Sequence, residues 1–99
     1  MKLAAYLVVD IKVSDPVKMA EYRDLAAVAV NKFGGRYLVR GGKTEILEGD
    51  WLPERLVVLE FPSPEAARNF YASPDYLAAR KAREGAGHFD MLLIEGYQA

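Results

Sequence analysis

The chain has 99 residues, with 13 Lys and Arg against 14 Asp and Glu, a formal net charge of −1 and no cysteine. That length fits one domain, read here as residues 1–99. A near-neutral chain with scattered basic residues lacks the clustered positive charge needed by proteins of nucleic acids or anionic membranes, so neither partner is expected. Without thiols there are no disulfides and no thiolate chemistry, and a cytoplasmic location is the simplest compartment.

Leu3 to Val13 is apolar and rich in β-branched residues, and reads as a long buried strand. The apolar run from Met1 to Val9 is too short to span a bilayer, which takes about 20 residues. Asp10, Lys12 and Asp15 behind it fit a strand entering a helix better than a signal-peptide cleavage site. Ser14-Asp15-Pro16 starts that helix, with Asp15 as N-cap and Pro16 at the first helical position, where no amide partner is lost. Tyr22, Leu25, Ala26, Ala29 and Phe33 fall at helical spacing and form one apolar face. Gly34-Gly35 then ends the helix, because glycine reaches the left-handed C-cap conformation cheaply.

Arg36 to Arg40 reads as a short strand. Gly41-Gly42 is either a tight hairpin or a bulge that carries one long strand on to Glu48, with the bulge preferred. Gly49 to Pro53 is a loop, and Arg55 to Phe61 is a strand bounded by Pro62. Ser63-Pro64-Glu65 and Ser73-Pro74-Asp75 each offer a serine N-cap, a proline at the first position and an acid in the first turn, where the helix dipole favours negative charge. Pro74 cannot continue a helix, so a break is expected there. Gly85 and Gly87 close the third helix, and His88 to Glu95 is the last strand. The order β-α-β-β-α-β, with the second helix broken, implies an α+β ferredoxin-like sandwich: one antiparallel sheet with helices on one face.

The strands are apolar on both sides. Leu3, Leu7, Val9 and Ile11 oppose Tyr6 and Val8; Val57, Leu59 and Phe61 oppose Leu56 and Val58; Met91 and Leu93 oppose Leu92 and Ile94. The helices of one chain cover one face, and a face left wet should alternate with polar residues. A second copy of the chain, pairing sheet to sheet, is the expected cover for the other.

The pattern resembles the bacterial family catalogued as domain of unknown function 1330, within the dimeric α+β barrel superfamily. The resemblance rests on Tyr6-Leu7-Val8-Val9-Asp10, Gly35-Arg36-Tyr37-Leu38-Val39-Arg40-Gly41-Gly42, Leu47-Glu48-Gly49-Asp50-Trp51, Glu54 to Ser63 and Phe70-Tyr71-Ala72-Ser73-Pro74-Asp75-Tyr76. It implies a homodimer and carries no established activity. A weaker likeness extends to antibiotic-biosynthesis monooxygenases of the same superfamily, whose members carry out cofactor-independent oxygenation, haem degradation or isomerisation. No catalytic set matches residue by residue.

With the first strand set between the third and the last, one sheet edge is expected to gather Asp10, Arg36, Glu60 and His88. Such a group could bind a polar ligand or move a proton. The simpler reading pairs Glu60 with Arg36 and leaves His88 exposed. Arg40 and Trp51, in a Gly-Asp-Trp loop, fall near the opposite edge. Tyr22, Tyr71 and Tyr76 sit on helices as pocket phenols or as core edges. One histidine does not make an ordinary zinc site, so no metal and no cofactor are expected. Two functions remain open: a small-molecule pocket between sheet and helices, in a binder or in a cofactor-independent oxygenase or isomerase, and an interaction module with no ligand site.

Overall fold

The computed structural model describes residues 3–98; Met1 and Lys2 of the N-terminal run, and Ala99, lie outside them. Strand β1 (Ala5–Val13) leads into helix α1 (Pro16–Lys32) through Asp15. The Asp15 carboxylate accepts the amides of Val17 and Lys18 at 3.1 and 3.2 Å. This satisfies two of the donors that a helix start leaves unpaired. Strands β2 (Arg36–Arg40) and β3 (Leu56–Phe61) follow, then α2 (Pro64–Ala72), α3 (Pro74–Ala82) and β4 (Gly87–Glu95).

Ser73 makes the expected break. Its hydroxyl donates to the Phe70 carbonyl at 2.7 Å and accepts the Tyr76 amide at 3.1 Å. One buried side chain thus closes α2 and opens α3, and Pro74 needs no amide partner at the first position.

The sheet order is β2-β3-β1-β4, and every neighbouring pair is antiparallel. This is the ferredoxin-like arrangement that the element order implied. Ala5, Leu7, Val9 and Ile11 of β1 and Val57, Leu59 and Phe61 of β3 are buried beneath the helices. Tyr6, Val8, Leu56 and Val58 point to the other face and are only half-buried.

Two expectations change. Leu25 is 38% exposed, and Met19 and Val30 take its place in the buried stripe of α1 with Tyr22, Ala26 and Ala29. The contact with the sheet is narrower than the full apolar spread of the helix. Gly41-Gly42 is neither a tight hairpin nor a bulge in a longer strand. The ladder ends where the Gly41 amide donates to the Leu56 carbonyl at 2.9 Å, and residues 42–54 form an exposed loop. β3 begins only at Leu56, so Lys43 to Glu48 have no strand beside them to pair with. A register shift does occur, but inside β2, between Tyr37 and Val39.

The two glycines after α1 serve different ends. Gly34 takes the left-handed conformation, with φ of 77°. Gly35 is held by proximity: a Cβ there would stand 2.6 Å from Cε1 of Phe61 and 3.0 Å from Cγ1 of Val30. Both neighbours are locked in the core, so Gly35→Ala should destabilise the fold by about 1–3 kcal/mol through overpacking. Gly42→Ala, which meets nothing within 4 Å, should stay within about 0.5 kcal/mol of wild type. Urea unfolding of the two variants checks the contrast.

Candidate functional site

Between the sheet and the helices lies a cavity of about 30 Å³, enough to hold water but not a larger molecule. Its walls are mostly apolar side chains, Val9, Ile11, Val57, Leu59 and Phe70 among them. Its polar groups come from three elements and one loop. Tyr22 and Arg23 stand on α1, Tyr37 and Arg40 on β2, Tyr76 on α3, and Arg55 just ahead of β3.

Tyr22 and Tyr76 are buried, and their hydroxyl oxygens lie 2.7 Å apart in a hydrogen bond. Arg83 donates to the Tyr76 hydroxyl at 3.2 Å. Its guanidinium also lies 3.8 Å from the ring centre of Phe89 and 5.2 Å from that of Tyr22. Arg40 rests 4.3 Å above the Tyr37 ring. Arg23, Arg40 and Arg55 make no ion pair among the described residues, whose only pairs are Lys32–Asp75, Arg36–Glu60 and His88–Asp90.

Of the residues singled out in the sequence, Tyr22, Arg40 and Tyr76 reach this cavity. The four that were to share an edge divide between the two ends of the sheet. Antiparallel pairing sets the end of β1 against the start of β3, so Asp10 faces Leu56 and Asp90 across the ladder, and His88 faces Lys12. Arg36 and Glu60 pair with each other at the far end, Nε to Oε1 at 2.6 Å. This bond is the main force holding the Glu60 carboxyl below its ordinary pKa. His88 is exposed, 3.2 Å from Asp90. Arg40 and Trp51 belong to the end that holds Asp10, not the opposite one: Arg40 pairs with Val57, and Trp51 lines a shallow cleft on the open face with Asp10 and Leu56. In that cleft Asp10 Oδ1 is buried without a hydrogen-bond partner. Tyr71 lies outside the cavity, beneath the Arg80 guanidinium at 4.6 Å. Among the described residues, no three His, Asp or Glu side chains converge as metal ligands.

Arg23, Arg55, Tyr37 and Arg83 were not singled out from the sequence. Arg83 had a readable signal, since it follows Tyr76 by two helical turns and so shares its face. Arg55 had none, because only the pairing of β2 with β3 carries it to the cavity.

The sequence matches the family described as domain of unknown function (DUF1330) over residues 4–97. The chain belongs to that family. No curated protein matches it. A crystal structure of a protein of unknown function from Rhodopseudomonas palustris is similar, with a TM-score of 0.76 at 17% identity, covering 100% of this chain and 86% of that one. SnoaB, a cofactor-independent oxygenase from Streptomyces nogalater, gives 0.64 at 17% identity, covering 98% and 96%. A dimeric ferredoxin-like protein of unknown function from Bacteroides fragilis gives 0.64 at 16%, covering 93% and 95%. At these identities the likeness is one of fold. This DUF1330 chain therefore shares its architecture with proteins both of unknown function and of oxygenase activity. Among its described residues no helix is long and apolar enough to cross a membrane.

Burial, more than any neighbour, raises the pKa of Tyr22 far above the ordinary phenol value, and raises those of Tyr76 and Tyr37. An unfolded chain releases phenolic protons near pH 10. Above that pH the folded chain binds more protons than the unfolded one, so stability falls as pH rises. The melting temperature should therefore drop from about pH 10 upward. A Tyr22→Phe, Tyr76→Phe double variant should show a flatter alkaline limb. Thermal melts across the alkaline range measure both, and equal slopes would remove the two phenols from the account.

Proposed function

We propose that this DUF1330 protein is a homodimer that binds a small molecule in the cavity between its sheet and its helices. One observation carries the reading. A buried phenol pair and three arginines without ion-pair partners, drawn from separate parts of the chain, line one apolar space. Cations gathered with no counter-ion repel one another, and an anion placed among them relieves that repulsion.

The dimer reading rests on the open face. Leu92 and Ile94 are 57% and 52% exposed beside half-buried Val8, Leu56 and Val58. Contiguous apolar surface of this kind marks an association site. The buried, unpartnered Asp10 Oδ1 on that face fits a surface completed by another chain. The dimeric ferredoxin-like neighbour supports self-association in this fold.

SnoaB raises oxygenase chemistry as a second reading. The cavity offers it no general base: its polar lining is arginine and phenol, and the phenols hold their protons well past neutral pH. Binding is therefore the reading we favour over proton abstraction by the protein.

Sedimentation at micromolar concentration should give twice the 11.0 kDa chain mass, and Leu92→Glu should shift it to monomer. A folded wild-type monomer would sink the dimer. For the pocket, a thermal-shift screen of small metabolites should find compounds whose protection is lost in Ala26→Leu, since Ala26 lines the cavity. At a hundredfold excess over Kd a ligand stabilises by about 2.7 kcal/mol. Hits that protect the folded variant as well as the wild type would place binding elsewhere.

A further inference from the structure

The donors and acceptors around the Tyr22–Tyr76 bond do not balance. Each phenol carries one proton. One of the two protons makes the 2.7 Å bond between the oxygens, and either atom can supply it. Arg83, the other group bonded to Tyr76, is a donor and takes no proton. Whichever way the shared bond runs, one phenolic O–H is left with no protein acceptor among the described residues. Both hydroxyls belong to residues that line the cavity, where a bound molecule could supply the acceptor for that proton. Nothing in the lining is a carboxylate or an amide side chain.

The same lining carries Arg23, Arg40 and Arg55, none of them in an ion pair among the described residues. Arg40 is exposed and Arg23 and Arg55 are half-buried, whereas Val9, Ile11, Val57, Leu59 and Tyr76 are buried. The cations thus form the rim, and the phenol pair lies deeper. Guanidinium groups match a carboxylate in geometry as well as in charge.

Resting on the pocket reading above, we propose that the ligand is a small organic anion with a carboxylate at the arginine rim, an apolar body, and an oxygen acceptor at its far end that takes the spare Tyr22 or Tyr76 proton. The cavity as it stands is too small for the whole molecule. Arg40 is exposed and held by its stacking on Tyr37, so its displacement opens the rim without breaking an ion pair.

Three probes of one shape test this by titration calorimetry on the full-length protein. The first, 4-acetylbenzoate, has both the charge and the far acceptor; 4-isopropylbenzoate lacks the acceptor; 4-acetylbenzamide lacks the charge. The expected order puts 4-acetylbenzoate first, the isopropyl compound about three- to tenfold weaker and the amide at least about tenfold weaker. Arg40→Gln and Arg55→Gln should each lower affinity for both benzoates and leave the amide unchanged. Arg40→Lys should recover part of the loss.

Equal binding of 4-acetylbenzoate and the amide overturns the anion assignment. Equal binding of the two benzoates overturns the role of the spare phenolic proton. Unchanged affinity in both glutamine variants, each with wild-type circular dichroism, overturns the rim. No binding of any probe overturns the ligand class. In that case a hit of another chemistry that is lost in Ala26→Leu would leave the pocket standing, and the lack of any such hit would remove the pocket too.

Discussion

The hydroxyl bond between Tyr22 and Tyr76 is the contact around which the helix layer is arranged. It joins α1 to α3 at the level of the core, across 54 positions of sequence. A run of ring contacts extends from it on both sides. Phe61 lies 5.0 Å from Phe70, Phe70 4.5 Å from Tyr76, and Tyr22 5.1 Å from Phe89. The path crosses from β3 through α2, α3 and α1 to β4, so every helix is tied to the sheet through aromatic packing. Such pairs add about 0.5–1.5 kcal/mol each beyond their burial. The Ser73 break between α2 and α3 makes this path geometrically possible. An unbroken helix would hold Phe70 and Tyr76 six residues apart on one rod. The turn at Ser73-Pro74 brings their rings into contact.

Antiparallel pairing decides which polar groups can meet. Because β1 and β3 run in opposite directions, residues late in one sit beside residues early in the other. Asp10 therefore shares its end of the sheet with Arg40 and Trp51, and Glu60 shares the far end with Arg36. The alternation of faces then separates the groups again. Arg40 lines the cavity on the helix side, while Asp10 and Trp51 border a cleft on the open face. Two polar regions on opposite faces of one sheet end can serve two tasks, ligand contact on one side and association on the other. The wedge that keeps them apart is only one strand layer thick.

The sequence made most of the architecture readable because the signals were local. Asp15-Pro16, Ser63-Pro64 and Ser73-Pro74 each satisfy helix-start amides within three residues, and no tertiary context is needed to see them. The two-sided apolar strands were equally plain. Register was harder. The direction of β3 relative to β1 follows from the ferredoxin-like order, and it sets Asp10 and His88 at one end of the sheet and the Arg36–Glu60 pair at the other. Leu25 fits the helical spacing as well as Val30 does, and only packing against the sheet chooses between them. The cavity was the least legible feature. Arg23 and Arg55 look like ordinary surface charges when read along the chain, since each is followed or preceded by residues of strand or helix type. Their common destination comes from long-range pairing, which no window of sequence contains.

The chemistry of the cavity is set by groups that keep one charge state. Arginine stays protonated at any pH the fold survives. The phenols are neutral well beyond the physiological range because burial disfavours their anions. A site of fixed positive charge and fixed hydrogen-bond donors can hold an anion with the same strength from mildly acid to mildly alkaline solution. It cannot take up a proton and return it. Proton transfer at such a site would have to start and end on the bound molecule, with the arginines acting on the pKa of an acid they touch. The same groups that recognise a ligand would in that case also polarise it. This is why fixed-charge recognition and reactivity can share one cavity on one fold.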